Sequence, residues 1–247
     1  MAQLEKVKSN QIVWIEPNHR NDPPLHIANR GERFSTITGV TWLNEYFFIA
    51  AHRNGLAIAV FDIRSAEKPL IVKKIQHLSD DVASYQLDDT TWEVIVSGCW
   101  EVSYTKYILF LSQTPEIKLI EIRYSIDKTF CHGVDYDVDG NHLLSYHVGL
   151  NPRIEYRRKS WKLPKPWGAR DTCFNPMTNE LFSLAVSKVP QLKTYNDTNC
   201  SIFKFNNQSD TWDLFLSINN MHADTCCIYG VRTVSYTHLT LPTNREV

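Results

Sequence analysis

The sequence predicts an all-β protein built from repeated hairpins, and three observations carry that prediction. Short apolar runs alternate with polar residues and are separated by turn residues, which is typical of half-buried strands. One phrase, an apolar strand followed by a tight turn and a second apolar strand, recurs along the chain. The chain also holds 7 Trp, 11 Tyr and 11 Phe against 9 Gly, a composition that favours strands.

The clearest copy of the phrase is FCHGVDYDVDGNHLLSY, residues 130–146, with an Asp-Gly turn at its centre. The related copies begin at Ile37, Asp80, Arg170 and His222. The copies at His132 and Arg170 align without a gap at an offset of 38 residues, and the copy at His222 matches the one at His132 at an offset of 90. The phrase is therefore a repeat unit.

The spacing of the copies predicts a β-propeller. It is 42 residues between Val40 and Val82 and 52 residues between Val82 and Val134, which brackets the length of a four-stranded propeller blade. Radial repetition also protects sheet edges, because each blade packs its faces on its neighbours. A β-sandwich would explain the strands but not a phrase that recurs in phase. We expect six blades in the intact protein, with about five in this C-terminally truncated chain.

The outer strands of each unit follow the phrase in chain order. The first unit ends with LAIAVFDI, residues 56–63. Alternation of apolar and polar residues then predicts outer strand pairs in the next three units. These pairs are residues 107–111 and 117–122, 153–157 and 160–163, and 201–205 and 211–216.

The chain divides into three regions. Residues 1–34 form a proline-rich lead-in with one candidate strand at residues 11–15, and residues 35–234 hold the blades. Residues 235–247, SYTHLTLPTNREV, match no blade strand and resemble a translated sequencing adaptor. We expect this tail to be non-native and poorly packed.

Composition narrows the classes of partner and compartment. The net charge of -1 argues against nucleic acid and anionic membrane surfaces. The N-terminus MAQLEKVKSN lacks the apolar segment of a signal peptide, and no run reaches the ~18 apolar residues of a membrane span. We therefore expect a cytoplasmic protein. Its six cysteines show no CxxC spacing and are expected to be free, buried thiols.

Two of the copies carry a family resemblance. HGVDYDVDGNHLLSYH and DTCFNPMTNELFSLA resemble the inner-strand phrases of six-bladed propellers of the TolB-like, NHL and gluconolactonase-like superfamilies, and of seven-bladed YVTN-type repeats. The resemblance covers residues 35–230 and implies the fold. The Gly-His and Trp-Asp pair of WD40 repeats is absent from the sequence. Gluconolactonase-like hydrolases hold calcium or zinc with a Glu, Asn and Asp set, and no Glu or Asn stands at the matching strand starts here.

The polar residues at the starts of the innermost strands form the candidate site. In a propeller these strands line a central channel, and their first residues converge at one end, which we call the channel mouth. An aromatic-rich concave mouth with a few polar groups suits a small-molecule or carbohydrate-like ligand. The residues expected there are Asp81, His132, Arg170, Asp171, His222 and Asp224.

Three functions are compatible with that set. We favour a binding or interaction platform without metal or cofactor, and we do not expect an enzyme. A metal-dependent hydrolase acting on lactones or esters at the same mouth is the first alternative. A protein–protein scaffold is the second, and it would present an exposed apolar patch. His132 and His222 also have a structural interpretation, as hydrogen-bonding links between adjacent blades.

Two further segments have a plain interpretation beside a functional one. Residues 135–140 match the opening of a calcium loop, but Tyr146 stands where a bidentate carboxylate is needed, which favours a hairpin turn. The basic and aromatic residues of segment 153–165 could bind an anionic carbohydrate. A solvated outer strand pair is the favoured interpretation.

Overall fold

The chain folds into four antiparallel sheets. A computed structural model describes residues 37–53, 56–65, 69–99, 101–147, 151–175, 177–188 and 198–218. Within these ranges, sixteen strands form four sheets of four strands, and the strands of each sheet follow one another in chain order. The described ranges hold no helix long and apolar enough to cross a membrane.

Each sheet is one blade, numbered in chain order. The first comprises β1 (Ile37–Trp42), β2 (Phe47–His52), β3 (Ala57–Asp62) and β4 (Ile71–Lys74). The second comprises β5 (Val82–Asp88), β6 (Thr91–Ser97), β7 (Val102–Phe110) and β8 (Glu116–Tyr124). The third comprises β9 (Cys131–Tyr136), β10 (His142–Tyr146), β11 (Arg153–Tyr156) and β12 (Lys159–Trp161). The fourth comprises β13 (Trp167–Phe174), β14 (Leu181–Lys188), β15 (Thr198–Asn206) and β16 (Thr211–Ile218).

The blades are arranged as a propeller. The first strands of the four blades lie side by side, with β1 against β5, β5 against β9 and β9 against β13. Side chains link them, as where the Thr38 hydroxyl donates to the carbonyl of Ser79 at 2.9 Å. The prediction of an all-β propeller is confirmed.

Strand alternation explains how each blade packs on two neighbours. In β6, Val94 and Val96 join the core between the first and second blades, while Ile95 joins the core between the second and third. In β10, Leu144 faces the second blade and Leu143 faces the fourth. Successive side chains of a strand point to opposite faces, so two apolar faces require a nearly continuous apolar run.

The predicted phrases and outer strands correspond to observed strands. The copies at residues 37, 80, 132 and 170 form the first two strands of the four blades. Strand β4 was not predicted, because its sequence IVKK is short and only half-buried. The candidate strand at residues 11–15, the copy at His222 and the tail at 235–247 lie outside the described residues.

Neighbouring inner strands approach so closely that two positions require glycine. A Cβ atom added at Gly39 would lie 2.7 Å from Cα of Asp81, and one added at Gly133 would lie 2.8 Å from Cα of Asp171. Carbon atoms in contact sit about 3.5–4.0 Å apart. A side chain at either position would therefore push two blades apart.

We predict that Gly133→Ala destabilises the protein by about 1–3 kcal/mol, the usual cost of overpacking a rigid interior. The urea midpoint of the full chain should fall. Val138→Ala, in the turn between β9 and β10 where Val138 is 60% exposed, is the control and should leave the midpoint unchanged. Equal midpoints for the two variants would contradict the close-approach argument.

Candidate ligand-binding site at the channel mouth

The channel mouth is built from the starts of the inner strands and the ends of the second strands. Antiparallel pairing brings these points together, as Ile37 opposite His52 and Cys131 opposite Tyr146 show. One position of the repeated phrase supplies Thr38, Asp80, His132 and Arg170 from the four inner strands. The residues that closely follow the second strands of the first three blades are Arg53, Cys99 and His147.

Asp80 lies at the centre of this group. Its Oδ2 is 2.8 Å from Nδ1 of His132, and its Oδ1 is 2.9 Å from a terminal nitrogen of Arg53. The thiol of Cys99 donates to Oδ2 across 3.6 Å. Asp80 therefore joins groups from the first, second and third blades at one point.

The Asp80–His132 pair is buried and incompletely hydrogen-bonded. Asp80 is 0% exposed and His132 is 8% exposed. The short contacts are poorly aligned, so that Oδ1 of Asp80 and both ring nitrogens of His132 have no well-directed hydrogen bond within the described part of the chain. Buried polar atoms are nearly always paired. These atoms are therefore where a ligand could supply a partner.

Burial and charge set the protonation of the pair. Burial raises the pKa of Asp80, but the contact with His132 and the charges of Arg53 and Arg170 outweigh it and lower the pKa overall. Burial lowers the pKa of His132, and the two arginines add to that effect more than Asp80 opposes it. At neutral pH the carboxylate is ionised and the imidazole is neutral.

Cys99 is a hydrogen-bond donor rather than a nucleophile. Burial raises the pKa of its thiol to about 12, and the negative charge of Asp80 acts in the same direction. A thiol with this pKa is protonated at neutral pH, and the thiolate is the reactive form.

Asp81 occupies a different environment from its neighbour Asp80. Its Oδ1 accepts the amide of Val82 at 2.8 Å, and its Oδ2 accepts the amide of Val134, on the next inner strand, at 3.0 Å. The hydroxyl of Ser97 accepts the amides of Asp80 and Asp81 at 3.0 and 2.7 Å, fixing the strand start. Asp81 thus ties β5 to β9.

The other predicted mouth residues divide into two groups. Arg170 lies close enough to lower the pKa of both Asp80 and His132. Asp171 accepts the amide of Thr172 at 2.8 Å, as Asp81 does with its own neighbour. His222 and Asp224 lie outside the described residues.

Sequence reasoning missed two members of the group. Asp80 aligns with His132 in the repeat and could have been chosen from that alignment in place of Asp81. Arg53 carried no signal, because only the pairing of β1 with β2 brings it to the mouth.

The aspartate-rich turn of the third blade is used for structure. Asp137 accepts the amides of Asp139 and Asn141 at 2.9 and 2.7 Å and pairs with Arg157 at 2.8 Å. Its carboxylate therefore organises a hairpin turn and holds it to β11. No group of three or more His, Cys, Asp or Glu side chains in the described ranges is placed to hold a metal ion.

The basic segment 153–165 forms the outer strand pair of the third blade. Arg153 pairs with Asp127 at 2.7 Å and with Glu155 at 2.6 Å. Lys159, exposed on β12, lies 3.5 Å from Asp210. Much of its charge is thus balanced locally, as expected of a solvated outer hairpin.

Comparison with known proteins gives only distant structural neighbours. No family model matches the chain, and no curated protein matches it. The Pan2 WD40 domain of Neurospora crassa is 6% identical over 75% of this chain and 52% of that one, with a TM-score of 0.46. The Nup170 N-terminal domain–Nup53 complex of Chaetomium thermophilum is 11% identical over 73% and 28%, with a TM-score of 0.43. A Bacteroides uniformis protein assigned as a 6-phosphogluconolactonase is 12% identical over 76% and 56%, with a TM-score of 0.46.

The chain thus spans between 28% and 56% of these three chains. At these identities and scores the comparisons assign no activity or partner to the protein.

We predict that stability falls as the pH drops below about 6.5, the ordinary pKa of histidine. Burial lowers the pKa values of His52, His77, His132 and His142. In this window the unfolded chain binds protons that the folded chain does not, so acidification favours unfolding. The stabilising effect is fully present above the unfolded pKa and is lost as the pH falls toward the folded values.

The measurement is the urea midpoint at about pH 7.5 and at about pH 5.5, where these histidines dominate the titration. The midpoint should be lower at the acidic pH, and His132→Asn should reduce the difference. A midpoint that is constant or rises on acidification would contradict the prediction.

Proposed function

We propose that this propeller is a binding protein whose ligand is a small hydroxylated anion, such as a sugar acid, held at the channel mouth. The observation that carries the proposal is the buried Asp80–His132 pair with its poorly aligned polar atoms, flanked by Arg53 and Arg170. Three blades contribute side chains to that pair and its neighbours, as in a site assembled by the ring.

The charge of the group favours an anion. One carboxylate faces two guanidinium groups and a neutral imidazole, which leaves a net positive charge. Guanidinium groups bind carboxylates and phosphates through paired hydrogen bonds. An oxyanion at the mouth would balance the charge that Asp80 leaves uncompensated.

Exposure assigns different roles to the side chains. The side chain of Arg53 is 35% exposed, whereas that of Asp80 is 1% exposed. The arginines would therefore contact the ligand, and Asp80 would hold Arg53 and His132 in place. With Nδ1 of neutral His132 turned to Asp80, Nε2 can accept a hydrogen bond from a ligand hydroxyl group.

The fifth copy of the phrase would extend this site. We place His222 at the mouth because it aligns with His132 in the repeat. The same alignment supports a six-bladed ring of the TolB-like kind, in which Asp81, Asp171 and Asp224 lie one or two residues further along their strands. A small ligand fits such a mouth better than a protein surface does.

The test is calorimetric titration of the full chain with D-gluconate, D-glucuronate and D-glucose. At least one of the two acids should bind and glucose should not, because the arginines recognise the carboxylate. Arg170→Ala and Arg53→Ala should each weaken binding about tenfold or more, as expected for loss of a charged hydrogen bond.

Arg64→Ala is the matched control. Arg64 follows β3 at the opposite end of the first blade, where it pairs with Asp62 at 2.8 Å, and its loss should leave binding unchanged. Failure of both acids to bind, or equal binding by the Arg170, Arg53 and Arg64 variants, would refute the proposal.

A further inference from the structure

The fourth blade has an apolar face turned away from the third blade. Leu181 and Ala185 of β14 pack into the core shared with the third blade, so the alternate residues Phe182 and Leu184 face the other way. Phe182 stacks edge-on against Phe215 of β16 at 5.5 Å. A cavity of about 180 Å³ opens on this face, lined by Asp171, Phe182, Leu184, Ile202 and Phe215, among others.

We propose that this face binds residues 222–230 of the same chain as the inner strand of a fifth blade, with the carboxylate of Asp171 accepting the backbone amide of Asp224. The proposal does not depend on the ligand-binding function. Three features carry it: the spacing of the chain, the geometry of an equivalent aspartate and the size of Ala223.

The chain has the right length to place this segment. Within each blade one row of paired residues runs from the inner to the outer strand. From the outer residue of the row to the same position of the next inner strand, the chain takes 10 residues from Val72 to Val82 and 12 from Ile122 to Val134. The third connection, from Ser160 to Thr172, is also 12 residues.

The fourth blade repeats this spacing. Its row ends at Leu214, which pairs with Phe203 and through it with Ser183 and Thr172. Ten residues separate Leu214 from Asp224, the same number as the first connection. Asp224 is also the residue that aligns with Val134 at the offset of 90. The register of the sheet and the repeat of the sequence therefore point to the same residue.

Asp171 has the geometry of an aspartate that already links two blades. Asp81 packs against Gly39, accepts the amide of Val82 with Oδ1, and reaches the amide of Val134 on the following blade with Oδ2. Asp171 packs in the same way against Gly133 and accepts the amide of Thr172 with Oδ1. The residue on the following blade that corresponds to Val134 is Asp224.

The preceding residue also fits. Ala223 stands where Gly133 stands in the third blade, and a small side chain is needed where inner strands come close. A second link of this type exists, since Asp135 accepts the amides of Tyr136 at 2.9 Å and of Phe174, on the following blade, at 3.1 Å. Carboxylate-to-amide links between inner strands are thus a recurring device of this fold.

The test is amide hydrogen exchange of the full chain, followed by mass spectrometry of peptides from residues 219–230. These amides should exchange more slowly than unstructured ones. Asp171→Ala should speed their exchange about tenfold, the expected loss of one charged hydrogen bond. Asp213→Ala is the control, because Asp213 is exposed on β16 of the same blade, and it should have no effect on residues 219–230.

A second variant covers the case in which Asp171→Ala fails to fold. Phe215 is 61% exposed within the described ranges, so Phe215→Glu should be tolerated by the sheet itself. It should nevertheless speed exchange at residues 219–230, because it places a charge beneath the docked strand.

Three results would overturn the proposal. The first is exchange at the unstructured rate in residues 219–230 of the parent chain. The second is retained protection of these residues in a folded Asp171→Ala or Phe215→Glu variant. The third is protection of β14 and β16 that appears only as the protein concentration rises, which would show that a second copy of the chain covers the face.

Discussion

The close approach of neighbouring inner strands is the constraint on which the rest of this fold depends. Blades that widen outward must converge toward the axis, and there is no room for a side chain between Gly133 and the backbone of Asp171. The amides buried at such a contact still require acceptors. Asp81 and Asp135 supply them from the preceding blade. Carboxylates therefore replace side-chain packing near the axis, and apolar cores form further out.

This constraint also explains the composition of the channel mouth. Asp80 and Asp81 are adjacent, yet one meets His132 and Arg53 while the other binds only backbone amides and stays between strands. Ser97 fixes both amides and so fixes which carboxylate goes where. The structural links are satisfied by one residue of the pair. The other is left for charged partners at the mouth, where it can organise a ligand site without weakening the ring.

Most of the fold could be predicted from the sequence, but only part of the site. The inner strands bury both faces, and their apolar runs and turns are local signals that the chain states directly. Strand β4 was missed because an outer strand of four half-buried residues has no such run. The choice between Asp80 and Asp81 depends on Ser97, sixteen or seventeen residues away. Arg53 reaches the mouth only through strand pairing, a contact that no local pattern encodes.

The contacts of the inner strands also impose a rule of parity on ring closure. Gly39 of the first blade meets Asp81 of the second, and Gly133 of the third meets Asp171 of the fourth. The structural period of the propeller is therefore two blades, although its sequence repeat is one. A ring that keeps this alternation closes without a mismatch only with an even number of blades, since an odd number would set two glycines or two aspartates side by side at the seam.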